Sequence, residues 1–212
     1  MNWPVKWGKN GKMKRIIAAT KNRGKLKEIK EILDDFPYNV VSMEEAGYCM
    51  EIDENGDTFE ENALLKAKAL SGISGDITVA DDSGLVVDRL DGAPGVFSSR
   101  FAGEGASDED KNRKLLGMLE GVPLRDRTAR FVCAVAVVFP DGRNFTVKGS
   151  CEGYIGFEPR GVNGFGYDPL FHIPEYGATI AELDSDVKNM ISHRGKAFRL
   201  MADELRRGWL VI

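Results

Sequence analysis

Two adjacent carboxylates, Asp81 and Asp82, follow the apolar stretch Ile77–Ala80 and precede Ser83 and Gly84. Adjacent carboxylates at the end of a buried strand are costly unless a cation neutralises them. Carboxylate oxygens suit Mg²⁺, which keeps several waters and takes further ligands from substrate phosphates. Neighbouring strand side chains point to opposite faces, so only one aspartate should face a metal if strand geometry continues. Alternatively, Asp-Asp-Ser-Gly is a turn, because these residue types are typical of turns.

A second acidic stretch lies just before a predicted helix and could supply another metal ligand. It consists of Glu51, Asp53, Glu54 and Asp57. The helix opens at Thr58, which has the spacing of a capping box with Glu61. Lys66 lies on this helix beside Ala63 and Ala67, at the flank of the apolar stripe. There its ammonium either reaches a functional site or snorkels to solvent, as long lysine side chains often do.

A polar loop joins the first predicted strand, Ile16–Ala19, to the first predicted helix. Its residues are Thr20, Lys21, Asn22, Arg23, Gly24 and Lys25. Free backbone N–H groups and the helix dipole favour a phosphate at such a helix N-terminus. The Walker A pattern GxxxxGK[ST] is absent, so a phosphate cradle here would be of another kind. The alternative is a solvated basic turn.

A third group of polar residues stands at the entry to the last predicted helix. It comprises Lys188, Ser192, His193 and Arg194. Positive residues in a first turn oppose the helix dipole, and such violations of local rules often mark functional sites. Alternatively, His193 and Arg194 precede the helix or pair with Asp184 and Asp186.

The segment Gly164-Phe165-Gly166-Tyr167-Asp168-Pro169 places an aromatic ring between two glycines. Glycine lets a flat ligand approach the backbone closely, so the segment is a candidate ligand-binding loop. The alternative is that Phe165 and Tyr167 belong to the core. His172, between two apolar residues, is predicted to be a packed core histidine.

Apolar periodicity predicts the elements that must position these residues. A third helix should start at Ser107, and the last should begin near Ser192. The buried face of that last helix is predicted to contain Ala197, Leu200, Met201 and Leu205. The apolar run Phe131–Phe139 predicts a central strand, and Pro140-Asp141-Gly142 a turn into its antiparallel partner. Helices alternating with strands, plus one hairpin, predict an α/β fold with a mixed sheet.

Composition sets the class of protein. The chain has 212 residues, of which 42% are hydrophobic and 29% charged, which predicts one globular domain or one domain with two lobes. A net charge of −4 argues against a nucleic-acid partner. The longest apolar run, Phe131–Phe139, is far shorter than the roughly 18 residues that cross a bilayer, and residues 1–15 lack the apolar stretch of a secretory signal. We therefore expect a cytoplasmic protein without a membrane partner.

The cysteines support a reducing compartment. Cys49, Cys133 and Cys151 are odd in number and form no CxxC pair. We predict that all three are buried thiols rather than nucleophiles.

Six motifs in order give the sequence a family likeness from about Ile16 to Leu205. The motifs are Thr20-Lys21-Asn22-Arg23-Gly24-Lys25, Glu61-Asn62-Ala63-Leu64-Leu65-Lys66-Ala67, Ala80-Asp81-Asp82-Ser83-Gly84-Leu85, Gly92-Ala93-Pro94-Gly95, Gly164-Phe165-Gly166-Tyr167-Asp168-Pro169 and Ser192-His193-Arg194-Gly195. This set strongly resembles the inosine/xanthosine triphosphate pyrophosphatases. Members usually begin close to the first strand, which implies that residues 1–12 are an N-terminal extension and residues 13–212 a single domain with two lobes.

The resemblance implies a housecleaning hydrolase that requires Mg²⁺. Such enzymes cut the deaminated purine nucleotides ITP, dITP and XTP between the α and β phosphates, giving the monophosphate and pyrophosphate. It also implies an elongated mixed β-sheet flanked by helices, two lobes with a central active-site cleft, and a homodimer. The remaining alternatives are a pyrophosphatase for modified pyrimidine nucleotides and a non-catalytic nucleotide-binding regulator.

The resemblance also implies residue roles. Asp82 would bind the metal and accept a proton, Glu54 would be the second metal ligand, and Lys66 would act on the phosphates. The triphosphate would bind to Thr20, Lys21, Asn22, Arg23, Gly24 and Lys25. Ser83 would line the site, and the nucleoside end would bind to Phe165, Gly166, Tyr167, Asp168, Lys188, His193 and Arg194.

Overall fold

The computed structural model describes residues 15–209, and the predicted extension, residues 1–12, lies outside this range. The strands are β1 (Arg15–Ala18), β2 (Asn39–Ser42), β3 (Ile77–Val87), β4 (Thr128–Val138), β5 (Asn144–Ile155), β6 (Phe171–Ile173) and β7 (Ala178–Thr179). The helices are α1 (Arg23–Ile32), α2 (Phe59–Ser74), α3 (Asp108–Met118), α4 (Ser185–Ile191) and α5 (His193–Glu204). Within the described range, no helix is long and apolar enough to span a bilayer.

The strands form one mixed sheet in the order β2-β1-β3-β4-β5-β6-β7. β1 runs parallel to β2 and β3, whereas β6 runs antiparallel to β5 and β7. A tight turn, closed by the Gly142 N–H donating to the Phe139 carbonyl, joins β4 to β5. The predicted α/β fold with a mixed sheet is confirmed.

The described residues divide into two compact units. The first contains residues 15–82, 134–148 and 197–209, and the second contains residues 83–133 and 149–196. The strands β3, β4 and β5 each contribute residues to both units.

The first unit is built on the parallel strands β2-β1-β3. Its central strand β1 is buried on both faces, as expected for a parallel strand covered by helices. Helix α2 begins after Thr58, whose hydroxyl accepts from the Glu61 N–H while the Glu61 carboxylate accepts from the Thr58 N–H. The predicted capping box is therefore confirmed. The buried apolar side chains of this unit include Ile16, Ile17, Ile29, Ala63, Ala67, Leu70 and Val79.

Helix α5 buries a different face from the predicted one. Ala197, Met201 and Leu205 are buried, but Leu200 is 47% exposed and Phe198 is fully buried. At 100° per residue, the buried positions centre near Phe198, and Leu200 lies on the opposite side of the helix. The prediction for Leu200 was wrong because positions 197, 200, 201 and 205 also have helical spacing, and packing decides which stripe is buried.

The second unit has its own apolar core. Side chains from β3, α3, β4, β5 and β6 meet there, among them Leu85, Val87, Leu115, Leu119, Phe131, Ile155, Leu170 and Phe171. Helix α3 starts as predicted, with Ser107 as its N-cap. The buried guanidinium of Arg127 donates to the carbonyls of Leu119, Val122 and Gly156 at 2.6, 3.0 and 2.7 Å. Two of these carbonyls, those of Leu119 and Val122, follow α3, where the helix dipole favours a cation.

Three local predictions need correction. The turn interpretation of Asp81-Asp82-Ser83-Gly84 is wrong, because β3 continues to Val87. Cys133 and Cys151 are buried as predicted, but Cys49 is exposed, in a segment without helix or strand. Helix α4 was missed because it has only seven residues and no side-chain cap.

His172 confirms its prediction as a core histidine. It is buried and stacks on Tyr154 with ring centroids 5.0 Å apart. Burial lowers the pKa of its imidazole, which favours the neutral ring.

Candidate active site

Five charged side chains of the first unit form a carboxylate–lysine cluster. The cluster consists of Lys25, Glu54, Lys66, Asp81 and Asp82. The Lys66 Nζ lies 2.9 Å from Glu54 Oε1 and 3.4 Å from Asp82 Oδ1. The Lys25 Nζ lies 3.0 Å from Asp81 Oδ2. The consecutive aspartates of β3 thus bind lysines from different helices, which agrees with their side chains pointing to opposite faces.

Pairing with lysines explains how β3 can continue through two buried aspartates. The side chains of Asp81, Asp82 and Lys66 are all at least nine-tenths buried. A buried carboxylate without a cation would be costly, whereas here an ammonium lies beside each one. Sequence reasoning ended the strand at Ala80 because the neutralising lysines are distant in sequence. Lys66 is not a snorkelling lysine, since its side chain is only 8% exposed.

Asn62 joins the acidic segment to the aspartate of β3. Its Nδ2 donates to Asp82 Oδ2 at 3.2 Å, and its Oδ1 accepts from the Gly56 N–H at 2.8 Å. A Cβ on Gly56 would lie 2.7 Å from Glu61 Cβ and 2.9 Å from Asn62 Oδ1, so glycine is required for this approach. Asn62 was not predicted as a site residue. A polar residue one turn before Lys66 on the same face was the available signal.

The cluster carries a net negative charge. With all five groups ionised, the three carboxylates and two ammonium groups sum to −1. Burial raises the pKa of Asp82, and the ammonium groups of Lys66 and Lys25 offset only part of that rise. Burial opposes the charge of Lys66, but the carboxylates of Asp82, Asp81 and Glu54 outweigh it and raise the pKa of Lys66. The lysine therefore stays protonated, and a further cation would favour the ionised form of Asp82.

This donor set fits a hard divalent cation that takes few protein ligands. Among residues 15–209, no group of three or more His, Cys, Asp or Glu side chains is arranged as a metal site. Glu54 and Asp82 offer two carboxylates that share the ammonium of Lys66. Mg²⁺ commonly uses one or two carboxylates and completes its shell with water and phosphate oxygens.

The predicted phosphate loop is shorter than expected. Asn22 is the N-cap of α1, and its Oδ1 accepts from the Lys25 N–H at 3.0 Å. The Asn22 N–H donates to Thr20 Oγ1 at 3.2 Å. Arg23, Gly24 and Lys25 form the first turn of α1 rather than a loop before it. The sequence boundary was wrong because Asn22, a strong N-cap residue, was counted as loop.

A second cluster, the Phe165 cluster, lies in the second unit and consists of Ser83, Phe165, Asp168, Lys188 and Arg194. Asp168 Oδ2 accepts from Lys188 Nζ at 2.7 Å and from the Phe165 N–H at 2.9 Å. Lys188 Nζ and Arg194 Cζ lie 5.0 and 5.6 Å from the centre of the Phe165 ring. Arg194 Nη2 donates to Ser83 Oγ at 2.9 Å. The half-buried Phe165 ring is therefore flanked by two cations.

The remaining predicted residues of this unit are packed beside the cluster. Tyr167 is buried, its hydroxyl donates to the Ser98 carbonyl at 2.9 Å, and burial raises the pKa of its phenol. The core alternative is therefore correct for the Tyr167 side chain. The buried His193 ring stacks on Phe131 at 4.8 Å. Ser192 Oγ accepts from the Gly195 N–H, so Ser192 caps the first turn of α5.

Comparison with known proteins identifies relatives along most of the chain. Residues 16–204 match the Ham1 family. The dITP/XTP pyrophosphatase of Geobacter sulfurreducens is 52% identical over 197 residues, 93% of this chain and 98% of that relative. The dITP/XTP pyrophosphatase of Bacillus subtilis is 50% identical over 190 residues, 90% of this chain and 96% of that relative.

Solved structures show the same architecture. A HAM1 protein from Coxiella burnetii is 41% identical and aligns with a TM-score of 0.84, covering 92% of this chain and 100% of that one. The Ham1 protein of Staphylococcus aureus, also 41% identical, aligns with a TM-score of 0.82, covering 92% of this chain and 99% of that one. The resemblance inferred from the motifs is thereby confirmed, and the chain belongs to the Ham1 family.

Proposed function

We propose that the protein is a nucleoside-triphosphate pyrophosphatase for deaminated purine nucleotides. It hydrolyses ITP, dITP and XTP between the α and β phosphates and releases pyrophosphate. The contact of Lys66 with both Glu54 and Asp82 carries this proposal, because it combines a pair of metal-binding carboxylates with a cation for phosphate. The proposal is supported by relatives named dITP/XTP pyrophosphatase, which are 50–52% identical to this chain.

We further propose that Glu54 and Asp82 hold Mg²⁺. The net negative charge of the carboxylate–lysine cluster supports this ligand set. When bound, the ion neutralises phosphate charge and fixes the orientation of the phosphate oxygens.

The cluster's own residues supply the proton acceptor and phosphate contacts. Water attacks the α phosphorus, the bond from that phosphorus to the bridging oxygen breaks, and Asp82 accepts the proton of the water. A carboxylate with a raised pKa is a stronger base at neutral pH than an ordinary one. Lys66 stabilises the charge that develops on the departing pyrophosphate. The phosphates also contact the N-terminus of α1 and its flanking residues, Thr20, Lys21, Asn22, Arg23, Gly24 and Lys25.

The Phe165 cluster is proposed to bind the nucleoside end. The ring of Phe165 offers an apolar face, and we assign Gly166, Asp168 and Ser83 to the same binding site. Lys188, His193 and Arg194 supply donors, which match the 6-oxo acceptor of hypoxanthine and xanthine. Adenine presents an amino donor at that position and leaves such groups unpaired, a mismatch that rejects a substrate by about 10⁴-fold in favourable sites.

Arg194→Ala tests this proposal for base recognition. We expect the ratio of kcat/KM for ITP over ATP to fall at least about tenfold, because a donor that only the 6-oxo purine satisfies is lost. Both constants should be measured by pyrophosphate release. Arg199→Ala, at an exposed position on the same helix, is the matched control. An unchanged ratio in Arg194→Ala would mean that the base is recognised elsewhere.

One assay tests the activity itself. Pyrophosphate release should be measured with ITP, XTP, GTP, ATP and methylated UTP, with and without Mg²⁺. We expect pyrophosphate release from ITP and XTP in the presence of Mg²⁺ and none in its absence. Activity should fall as pH decreases through the raised pKa of Asp82, and more Mg²⁺ should move that fall to lower pH, because metal and proton compete for one carboxylate.

The same panel separates the alternatives. Preference for methylated UTP would identify a pyrophosphatase for modified pyrimidine nucleotides. Nucleotide binding without release from any substrate would identify a non-catalytic regulator.

We also propose a cytoplasmic homodimer, for which light scattering should give about twice the 23.4 kDa chain mass.

A further inference from the structure

The backbone of Gly166 is held on both sides by one face of α3. Its N–H donates to Asp108 Oδ2 at 2.6 Å, and its carbonyl accepts from Asn112 Nδ2 at 3.0 Å. Asp108 and Asn112 are four residues apart and so lie on the same face of the helix. One peptide segment beside Phe165 is therefore bound at both polar groups by a single rigid element.

Asn112 is an unusual residue for its position. It is 7% exposed on a helix whose other buried residue is Leu115. Its Nδ2 reaches the Gly166 carbonyl, while its Oδ1 has no hydrogen-bond partner among the described residues. A buried polar atom without a partner costs roughly 1–3 kcal/mol. An apolar side chain would avoid that cost, so the contact with Gly166 is what distinguishes asparagine here.

The loop of residues 164–168 needs such external contacts. Gly164 and Gly166 have φ angles of +76° and +64°, which other residues rarely adopt. A Cβ on Gly164 would collide with the carboxylate of Asp168. The contact of Asp168 with the Phe165 N–H closes the loop on itself. The α3 contacts then fix the closed loop against the rest of the unit.

Helix α3 is itself firmly placed. Ser107 and Asp110 form a capping box at its start, and Leu115 and Leu119 are fully buried in the core of the unit. Asp108 also pairs with Lys111 at 2.6 Å through Oδ1, while its Oδ2 accepts from the Gly166 N–H. Movement of Gly166 relative to the core is thereby restrained.

We propose that Asn112, assisted by the more exposed Asp108, is a positioning residue that sets the location of the Phe165 ring for the base. This inference rests on the proposed function. Loss of the contact should displace the nucleoside-binding loop and leave the carboxylate–lysine cluster unchanged. Base recognition and KM should therefore suffer more than kcat.

Asn112→Asp and Asn112→Leu test the proposal with opposite effects on polarity. Aspartate keeps the shape but opposes the Gly166 carbonyl with a carboxylate, and leucine removes both the donor and the unpartnered oxygen. For both variants we expect KM for ITP to rise about tenfold or more, and the ITP-over-ATP ratio to fall, with kcat within about threefold of the parent. Asn112→Leu should have these effects without a lower Tm, whereas a purely structural role of Asn112 would predict a lower Tm.

Two further variants complete the experiment. Asp108→Ala should raise KM for ITP less than Asn112→Asp does. Asp108→Asn should have a KM close to that of the parent, because its amide oxygen still accepts from the Gly166 N–H. Arg113→Ala is the matched control, because the Arg113 side chain is 68% exposed and pairs with Glu109 and Asp110 on the surface. KM and base selectivity in both Asn112 variants equal to those of Arg113→Ala would overturn the inference.

Hydrogen–deuterium exchange separates this inference from the proposed function. We expect the amides of residues 165–168 to exchange faster in Asn112→Asp than in the parent, whatever the substrate. A parent without ITP hydrolysis would defeat the proposed function and leave this measurement valid. Unchanged exchange in Asn112→Asp would show that α3 does not hold the loop, and would overturn the inference even in an active enzyme.

Discussion

Asp82→Asn is expected to lower kcat/KM for ITP by at least about 10³-fold, because it removes both a metal ligand and the proton acceptor. The amide has nearly the shape of the carboxylate, but its one oxygen accepts from only one of Lys66 and Asn62, so the other of these two contacts is lost. Lys66 keeps Glu54 at 2.9 Å and is not left as an isolated buried charge. Pyrophosphate release under saturating Mg²⁺ measures the loss.

The stability of this variant provides an independent check. Because the pKa of Asp82 is raised in the folded protein, the folded state binds more protons than the unfolded state between the ordinary value and the raised one. Its contribution to stability therefore falls as pH rises through that window, and the cost is fully present above the raised pKa. An asparagine avoids this cost, so the Tm of the variant relative to that of the parent should increase as pH rises through that window.

Asp88→Asn is the matched control. Asp88 follows β3 directly and pairs with Arg130 at 2.7 Å on the surface, where an ion pair has little effect. Its activity should equal that of the parent. Turnover by Asp82→Asn within tenfold of the parent would contradict the role assigned to this carboxylate.

Local signals predicted much of the fold. Thr58 and Ser107 mark helix starts because an N-cap depends on residues only three positions away. The apolar run Phe131–Phe139 predicted β4 because a strand buried on both faces needs continuous apolar residues. The failure at Leu200 has a different cause, since which face of α5 is buried depends on what packs against it.

Site contacts were harder to predict because they join distant segments. Lys66 was singled out by its place beside the apolar stripe, but its partner Asp82 is sixteen residues away. Arg194 and Ser83 are 111 residues apart, and Asn112 and Gly166 are 54 apart. No spacing rule connects such residues. Resemblance supplied the roles of the first pair, whereas only the coordinates brought Asn112 to the loop.

Lys66→Met is expected to reduce both activity and stability. The thioether fills much of the lysine's volume but leaves Glu54 and Asp82 without their shared ammonium. Removing one partner of a buried ion pair typically costs about 3–5 kcal/mol, because the remaining charge is uncompensated. We expect kcat/KM for ITP to fall by about 10²-fold or more, since a preorganised charge at the leaving group is lost.

The pH dependence of Tm distinguishes lost charge from lost packing. Without Lys66, the pKa of Asp82 should rise further, because the ammonium is the largest factor that lowers it. The folded variant then takes up a proton more readily than the folded parent, so its deficit in Tm should shrink as pH falls through the raised pKa of Asp82 in the variant. Lys68→Met, at an exposed position on the same helix, should show neither effect. Undiminished kcat/KM, or a deficit in Tm independent of pH, would show that Lys66 does not neutralise this cluster.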